Sequence, residues 1–414
     1  MSTHLRRITA IAAAGTLTLA LAACGGEGAG SSSTPSPADT GADNGGDDGG
    51  TAAPGDGDDS TAGGGAAPAE DMTVGVAMPT QTSERWIADG NSVKEGLEEA
   101  GYTVDLQFAN DDIPTQSNQI DQMITNGADA LIIAAIDGTA LSTQLDAAAS
   151  AGIPVISYDR LIRDSENVDF YVTFDNYNVG VQQATSLLVG LGVLDESGEE
   201  TGEEGPFNIE LFAGSLDDNN AHFFWDGAMD TLQPYMDSGV LEVPSGQTTI
   251  QQAATLRWQQ ETAQRRMEDL LTSSYGGGSE QLDGVLSPYD GLSRGIITAL
   301  QNAGYGQTIE DGLPVVSGQD AEIASVKLIN DDVQYATIFK DTRLLAEQAI
   351  ISVQAYLQDQ EPEANDTETY DNGVKVVPSY LLESEIIYKD NIVSSLVDSG
   401  YWTQDEVDSG VSGK

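Results

Sequence analysis

Acidic, basic and amide side chains recur at the ends of short apolar segments of this sequence. Asp159 and Arg160 follow the apolar run Ile153–Ser157. Further polar residues in such positions are Glu84, Arg85, Asp137, Asn219, Asn220, Tyr289, Asp290, Gln319, Asp320 and Lys340. Carboxylates accept hydrogen bonds from hydroxyl groups, a guanidinium donates in a planar fork, and amides do both. These residue types therefore suit a neutral ligand rich in hydroxyl groups.

The adjacent charges Asp159 and Arg160 have two interpretations. They could neutralise each other as a structural ion pair, or each could contact a ligand. Adjacent residues of an extended chain point to opposite sides, which weakens the first interpretation. We therefore expect both side chains to contact a ligand, and we interpret Arg163 as a surface residue.

Two tryptophans add apolar surface to this polar set. Trp86 directly follows Arg85, and Trp258 lies in a later helical segment. An indole ring offers a flat apolar face that could cover the C–H face of a sugar ring. Packing in the core is an equal alternative for each of the two residues.

The sequence argues against an enzyme. The chain has two histidines, His4 close to the N-terminus and His222, so a Ser-His-acid triad would depend on His222 alone and a histidine-based metal site is excluded. Asp217 and Asp218 are adjacent, which does not give the opposed geometry that glycoside cleavage needs. The Gly-rich segment Tyr275 to Glu280 lacks the lysine of a phosphate-binding loop. We predict no catalytic residue, no metal and no cofactor.

The charge balance excludes another class of function. The chain has 414 residues, with 16 Lys and Arg against 67 Asp and Glu, and a formal net charge of -51. Phosphate binding depends on Lys and Arg that displace counterions, so a nucleic-acid partner is not expected. The acid excess is read as a contribution to solubility rather than as a site.

The N-terminus has the pattern of an export signal. Arg6 and Arg7 precede an apolar stretch from Ile8 to Ala20, which is short for a membrane span. Leu-Ala-Ala-Cys24 then resembles the bacterial lipobox, in which the cysteine is lipidated; an ordinary signal peptide with a chance cysteine is the alternative. We predict a lipoprotein signal peptide at 1–23 and, at 24–70, the lipidated Cys24 with a disordered acidic tether rich in Gly, Ser and Pro.

The remainder alternates short apolar strands with helical segments. Predicted strands are 72–79, 102–109, 128–136, 153–157, 169–174, 207–213, 241–243, 284–287, 314–317 and 335–339, and predicted helices are 85–100, 115–126, 139–151, 220–235, 255–271 and 292–302. Such alternation predicts an α/β fold with parallel sheets and two doubly wound lobes. The acidic stretch 195–204 is interpreted as a surface loop. In open parallel sheets ligands bind at the carboxyl ends of strands, which is where the polar residues fall.

Several longer motifs resemble a known family over nearly the whole segment from Val74 to Trp402. The motifs are ERWIADGN (84–91), NGADALIIAAIDG (126–138), YDRLIR (158–163), VTFDNYNVG (172–180), GSLDDNNAHFFWDGAM (214–229), LSPYDGLSRGI (286–296), VSGQDAE (316–322), TIFKDTR (337–343) and NGVKVVPSYLL (372–382). Together they resemble the type I periplasmic sugar-binding proteins of ABC importers, in the branch of xylose-binding and multiple-sugar (glucose/galactose) receptors. The residue before Asp290 differs between the two kinds of receptor. The xylose-binding receptors have a small amide at this position, whereas the bulkier Tyr289 of this sequence resembles the multiple-sugar receptors.

The resemblance implies two Rossmann-like lobes joined by a three-segment hinge. The crossings would fall near Phe174-Asp175, near Lys340 and near Val376 to Pro378. The first lobe would then contain 71–174 and 340–376, and the second 175–339 and 377–414. The implied sugar contacts are Arg85, Asp159, Arg160, Asn220, Asp290, Asp320 and Lys340, with Trp86 and Trp258 on the two faces of the ring. Further possible contacts are Glu84, Asp137, Asn219, Tyr289 and Gln319.

These expectations combine into one predicted function. The chain would be a monomeric receptor, anchored by lipid at Cys24 to the outer face of the cytoplasmic membrane. It would close on an aldose of the xylose, glucose or galactose type and deliver it to an ABC importer permease. A sugar-sensing co-receptor for a membrane kinase and a sugar-acting enzyme are the alternatives. A transcriptional repressor core of the same fold is disfavoured by the export signal, the acidity and the missing DNA-binding helices.

Overall fold

The computed structural model describes residues 69–413. The predicted signal peptide at 1–23, Cys24 and the tether at 24–70 lie outside the described residues, except for the last two tether residues. These two open a short 3-10 turn, Ala69–Asp71. Among residues 69–413, none of the helices has the length and apolar character that crossing a membrane would require.

Strands and helices alternate through most of the described chain. The strands are β1 (Thr73–Met78), β2 (Thr103–Phe108), β3 (Ala130–Ile133), β4 (Val155–Tyr158), β5 (Phe170–Phe174), β6 (Phe207–Leu211), β7 (Leu241–Glu242), β8 (Gly284–Leu286), β9 (Val315–Val316), β10 (Thr337–Phe339), β11 (Ser379–Leu382) and β12 (Glu385–Ile387). The helices are α1 (Glu84–Glu99), α2 (Ile113–Thr125), α3 (Ser142–Ala151), α4 (Asn176–Gly190), α5 (Asn219–Ser238), α6 (Ile250–Ala253), α7 (Gln260–Ser274), α8 (Asp290–Asn302), α9 (Ile323–Asn330), α10 (Thr342–Leu357) and α11 (Gln404–Ser409).

The first lobe is built on a parallel sheet with helices on both faces. Its strand order is β11-β5-β4-β3-β1-β2, and every pairing is parallel. All residues of β3, β4 and β5 are buried, as expected for strands that are covered on both faces. One core cluster joins this sheet to α1 and α10, and a second joins it to α2 and α3.

The second lobe repeats this arrangement on a smaller sheet. Its strand order is β7-β6-β8-β9, again in parallel, with α4 and α5 in one core cluster and α7 and α8 in another. The backbone N–H of Asp320 donates to the carbonyl of Ile338 at 2.8 Å, which attaches β10 to this lobe. β10 pairs in antiparallel orientation with β12. The acidic loop 195–204 between α4 and β6 is exposed.

The chain crosses between the lobes after β5, after β10 and after β11. The third crossing corrects our expectation of a change of lobe near Val376 to Pro378. β11 pairs with β5 in the first sheet from Ser379 to Leu382, and β12 pairs with β10 from Glu385. The crossing therefore falls between Leu382 and Glu385, because the edge of β5 is covered by one more strand before the chain leaves the first lobe. The predicted α/β class with two parallel-sheet lobes is confirmed.

Candidate ligand-binding cleft

The carboxyl ends of the two sheets enclose a cleft between the lobes. Its lining consists of Thr80, Thr82, Ser83, Arg85, Trp86, Asp111, Asp159, Arg160, Asp218, Asn220, Phe224, Arg257, Trp258, Tyr289, Gln319, Asp320 and Lys340. Ten residues of this lining were singled out from the sequence, namely Arg85, Trp86, Asp159, Arg160, Asn220, Trp258, Tyr289, Gln319, Asp320 and Lys340. The structure therefore brings most of the predicted set to one place.

Four predicted residues lie outside the cleft lining. Glu84 is exposed in the first turn of α1, and Asn219 is half-buried at the start of α5. Asp137 closes its own turn, because its carboxylate accepts from the N–H and the hydroxyl of Thr139 at 2.9 and 2.8 Å. Asp290 is buried behind the cleft wall. His222 also lies outside, half-buried on α5, with Nε2 3.3 Å from the carbonyl oxygen of Leu216.

Seven cleft residues were not in the predicted set: Thr80, Thr82, Ser83, Asp111, Asp218, Phe224 and Arg257. The sequence pattern could have indicated Asp111, since it lies three residues after the end of β2, at the same edge of the sheet as Asp159. Asp218 also follows a predicted strand, 207–213, but it is not in the set of predicted ligand contacts. Phe224 lies one helical turn after Asn220 on α5, so it shares that residue's face of the helix.

Arg85 is the central base of the first lobe's wall. Its side chain is only 6% exposed, and it contacts three carboxylates: Nε and Nη2 lie 3.0 and 2.8 Å from Asp89, Nη2 lies 2.6 Å from Asp159, and Nη1 lies 3.7 Å from Asp320. Burial opposes its charge, but Asp159 and Asp89 outweigh this effect and raise the pKa of Arg85 well above its ordinary value. The guanidinium is therefore a permanent, fixed donor.

Asp89, which holds Arg85 from behind, was not predicted. It is fully buried on the inner face of α1, four residues after Arg85, and it also accepts from the hydroxyl of Tyr158 at 3.0 Å. Burial raises the pKa of Asp89 to about 6, against the opposing charge of Arg85. The spacing of four residues between Arg85 and Asp89 predicts that the two side chains lie on the same face of a helix, so the sequence could have indicated this contact.

Asp159 ends β4 in a left-handed backbone conformation, with φ of 59°. Aspartate tolerates this region better than most residues. The carbonyl of Asp159 accepts from Tyr171 at 2.6 Å, from Thr173 at 3.1 Å and from Asn220 Nδ2 at 2.8 Å. Burial acts to raise the pKa of Asp159, but Arg85, Lys340 and Arg160 outweigh it and hold the pKa below its usual range. Asp159 is therefore a fixed acceptor at the cleft.

Arg160 points to a different partner. Its Nε lies 3.2 Å from Oδ2 of Asp218 in the second lobe, and its guanidinium carbon lies 5.1 Å from the centre of the Trp86 ring. Burial raises the pKa of Asp218 in spite of Arg160. Asp159 and Arg160 thus pair with different residues, and both side chains line the cleft.

Lys340 and Asp320 supply the charges at the base of the cleft. The ammonium of Lys340 is 3.0 Å from Oδ1 of Asp320, and the lysine is only 2% exposed. It lies 5.6 Å from the ring centres of both Phe174 and Phe224. These aromatic faces stabilise a cation that has little access to water.

Trp258 forms the apolar part of the second lobe's wall. Its ring lies over Gly214, where a Cβ atom would come within 2.0 Å of the indole. Its Nε1 donates to Asp218 at 3.2 Å, and Tyr289 meets the indole edge-on with ring centres 6.2 Å apart. Arg257 and Trp258 both have positive φ, so the loop that carries the indole is held in a strained conformation.

The cleft lining contains equal numbers of basic and acidic side chains. Four bases line it, Arg85, Arg160, Arg257 and Lys340, together with four acids, Asp111, Asp159, Asp218 and Asp320. Within residues 69–413, no three His, Cys, Asp or Glu side chains are grouped so that they could hold a metal ion. A neutral wall rich in fixed donors and acceptors suits an uncharged ligand with many hydroxyl groups.

Comparison with known proteins supports a fold of two lobes around a ligand-binding cleft. Residues 74–361 match the periplasmic binding protein domain. The chain is 54% identical over 339 residues to the multiple sugar-binding periplasmic receptor ChvE of Rhizobium radiobacter, which covers 82% of this chain and 93% of that receptor. It is 34% identical over 342 residues to the D-xylose-binding periplasmic protein of Escherichia coli, with 83% and 94% covered.

A solved structure is similar over the same region. It is an ABC transporter solute binding protein from Clostridium phytofermentans with bound β-D-glucose, 45% identical, with a TM-score of 0.76 and coverage of 81% of this chain and 99% of that one. The chain therefore belongs to the type I periplasmic binding proteins, in the branch of the multiple-sugar and xylose-binding receptors.

Proposed function

We propose that this protein is a receptor outside the cytoplasm that closes on a single monosaccharide, an aldose of the xylose, glucose or galactose type. The observation that carries the proposal is the charge-balanced cleft, in which fixed carboxylates and cations lie beside two indole rings. Hydroxyl groups can donate to Asp159 and Asp320 and accept from Arg85 and Lys340. The sugars in the names of the similar proteins support the same ligand class.

Closure is proposed as the event that completes the site. Side chains of both lobes already meet at the cleft: the hydroxyl oxygen of Tyr171 lies 2.9 Å from Asn220 Oδ1, and Arg160 meets Asp218. A sugar bound between the walls adds hydrogen bonds to both lobes that exist only in the closed form. The ligand therefore shifts the population towards closure about the three crossings.

Delivery to an ABC importer permease, and a lipid anchor at Cys24, form the rest of the proposal. The support for permease delivery and for the lipid anchor comes from sequence motifs. The anchor is tested by labelling cells with a radioactive fatty acid: Cys24→Ser should abolish the label and release the protein from the membrane fraction.

Isothermal titration of the chain with Cys24→Ser tests the ligand class. We expect saturable heat with D-glucose, D-galactose or D-xylose, with a Kd on the order of 1 µM. Mannitol, an open-chain polyol without a ring face for Trp258, is the matched control ligand and should bind at least tenfold more weakly. If no monosaccharide gives heat or a shift in unfolding temperature, the proposal is wrong.

A further inference from the structure

The carboxylate of Glu322 lies just outside the cleft and contacts residues of both walls. Glu322 is in the connection between β9 and α9 of the second lobe and is only 4% exposed. It does not line the cleft, and the ligand-binding argument did not use it. A buried carboxylate requires donors to compensate for lost hydration, so its partners show what it holds in place.

Three side chains donate to this carboxylate. Oε1 accepts from the hydroxyl of Ser83 at 2.8 Å and from the hydroxyl of Tyr289 at 2.7 Å. Oε2 accepts from Arg294 at 2.6 Å. Hydrogen bonds to an ionised acceptor are about twice as strong as neutral ones. Glu322 is therefore the common acceptor of one residue from the first lobe and two from the second.

Both hydroxyl donors are connected to the proposed sugar site. Ser83 is the N-cap residue of α1, directly before the turn that carries Arg85 and Trp86. Tyr289 lines the cleft and meets Trp258 edge-on. Its ring also lies over Gly291, where a Cβ atom would come within 2.3 Å of Cε1, so the ring has little room to move. Glu322 thus connects the walls that carry the two indoles.

We propose that Glu322 is a positioning residue that latches the closed form. Its bond to Ser83 joins α1 to the second lobe without any ligand atom, and its bond to Tyr289 fixes the ring that supports Trp258. Since Ser83 and Glu322 belong to different lobes, the bond between them is lost when the lobes separate. The unliganded receptor is therefore partly closed, and a bound sugar leaves more slowly. The effect on sugar dissociation rests on the proposed function, whereas the effect on the free protein does not.

The latch is tested first without ligand. Cys24 is the only cysteine, so with Cys24→Ser the exposed residues Glu95 of α1 and Asp269 of α7 can be replaced by cysteines and labelled as a fluorescent donor and acceptor pair, one in each lobe. Ser83→Ala should lower energy transfer in the free protein, and Ser83→Thr, which keeps the hydroxyl, should restore it. Ser150→Ala, whose hydroxyl donates within the first lobe to Asp146, is the matched control. Equal energy transfer in Ser83→Ala and the parent would overturn the latch.

Sugar dissociation provides the second readout. Ser83→Ala should raise the dissociation rate about tenfold with little change in the association rate, because the bond forms after encounter. In a Glu322→Gln background the same change should have at most a twofold effect, since the charged acceptor is already gone. Full additivity of the two substitutions would contradict the proposal. If the parent protein binds no sugar, the proposed function fails, and the energy-transfer measurement still decides whether the latch exists.

Discussion

Arg160 and Asp218 come from opposite lobes, and their Nε and Oδ2 atoms lie 3.2 Å apart within the cleft lining. The neighbouring acid, Asp159, contacts Arg85 instead, at 2.6 Å. The side chains of two residues adjacent in sequence thus have different partners: the carboxylate of Asp159 holds the first lobe's own base, and the guanidinium of Arg160 contacts an acid of the second lobe.

Arg160→Ala should weaken sugar binding ten- to hundredfold, because it removes a cleft donor and a contact between the lobes. The free energy of unfolding should fall by only about 1 to 3 kcal/mol, the cost of leaving one buried acceptor with a donor fewer. Asp218 keeps the backbone N–H of Asn220 at 3.0 Å and the indole N–H of Trp258 at 3.2 Å as donors. Titration calorimetry and urea denaturation measure the two effects. Arg163→Ala, outside the cleft, is the control. Unchanged affinity in Arg160→Ala would show that Arg160 has only a structural role.

Asp89→Asn should weaken binding about tenfold although Asp89 does not line the cleft. The substitution removes the charge that holds two N–H groups of Arg85, at 3.0 and 2.8 Å, so the guanidinium loses its fixed direction. Tyr158→Phe removes only the hydroxyl bond to Asp89 and should have a smaller effect. Calorimetry on both variants checks the order, and a larger loss in Tyr158→Phe than in Asp89→Asn would contradict it.

Gly214→Ala should lower affinity without changing any charge. The new methyl group would overlap the Trp258 ring, which must then leave its position in the wall. We expect a loss of at least tenfold and a smaller ligand-induced change in tryptophan fluorescence. Trp225→Phe, a tryptophan of α5 outside the cleft, is the control and should keep the fluorescence response. A normal response in Gly214→Ala would show that the indole does not report on the ligand.

Asp290 should make stability fall as pH rises. Burial, reinforced by Glu322, raises the pKa of Asp290 to about 8. The folded state then binds more protons than the unfolded state between about pH 4 and pH 8. The contribution of this group is thus fully present below the unfolded pKa and is lost as pH rises through the folded pKa. Its slope cannot exceed about 1.4 kcal/mol per pH unit.

Denaturation of Asp290→Asn at pH 5, 6.5 and 8 checks this sign. The variant should gain stability relative to the parent as pH rises, because Asn cannot ionise. Asp269→Asn, an exposed acid of α7, is the matched control. A stability difference between Asp290→Asn and the parent that stays constant over this range would refute the assignment.

Much of the cleft could be predicted because parallel strands end at a common edge. The rule located Asp159, Asn220 and Asp320 from the strands alone. It could not give side-chain direction. Asp290 follows β8 as predicted, yet its carboxylate turns inward to accept from Gln334 and from the backbone N–H of Glu322, each at 2.9 Å.

Other features depend on contacts between distant parts of the chain. Core packing of Trp86 does not exclude its predicted contact with a ligand, because Trp86 is 5% exposed and belongs to a core cluster while it also lines the cleft. Helix α4 was not predicted because most of its faces are buried and its apolar pattern has little periodicity. The Ser83–Glu322 bond spans 239 positions, which no local pattern reveals.

The strand β11 has a consequence for synthesis. It covers the edge of β5, but it is made only after the chain has passed through the whole second lobe. The first lobe therefore cannot finish folding on the ribosome or at the export channel before nearly all of the chain has emerged. A product that stops after α10 would expose the apolar, unpaired edge of β5, which is a template for association with other strands. Premature termination thus yields an aggregation-prone fragment and not half of a working receptor.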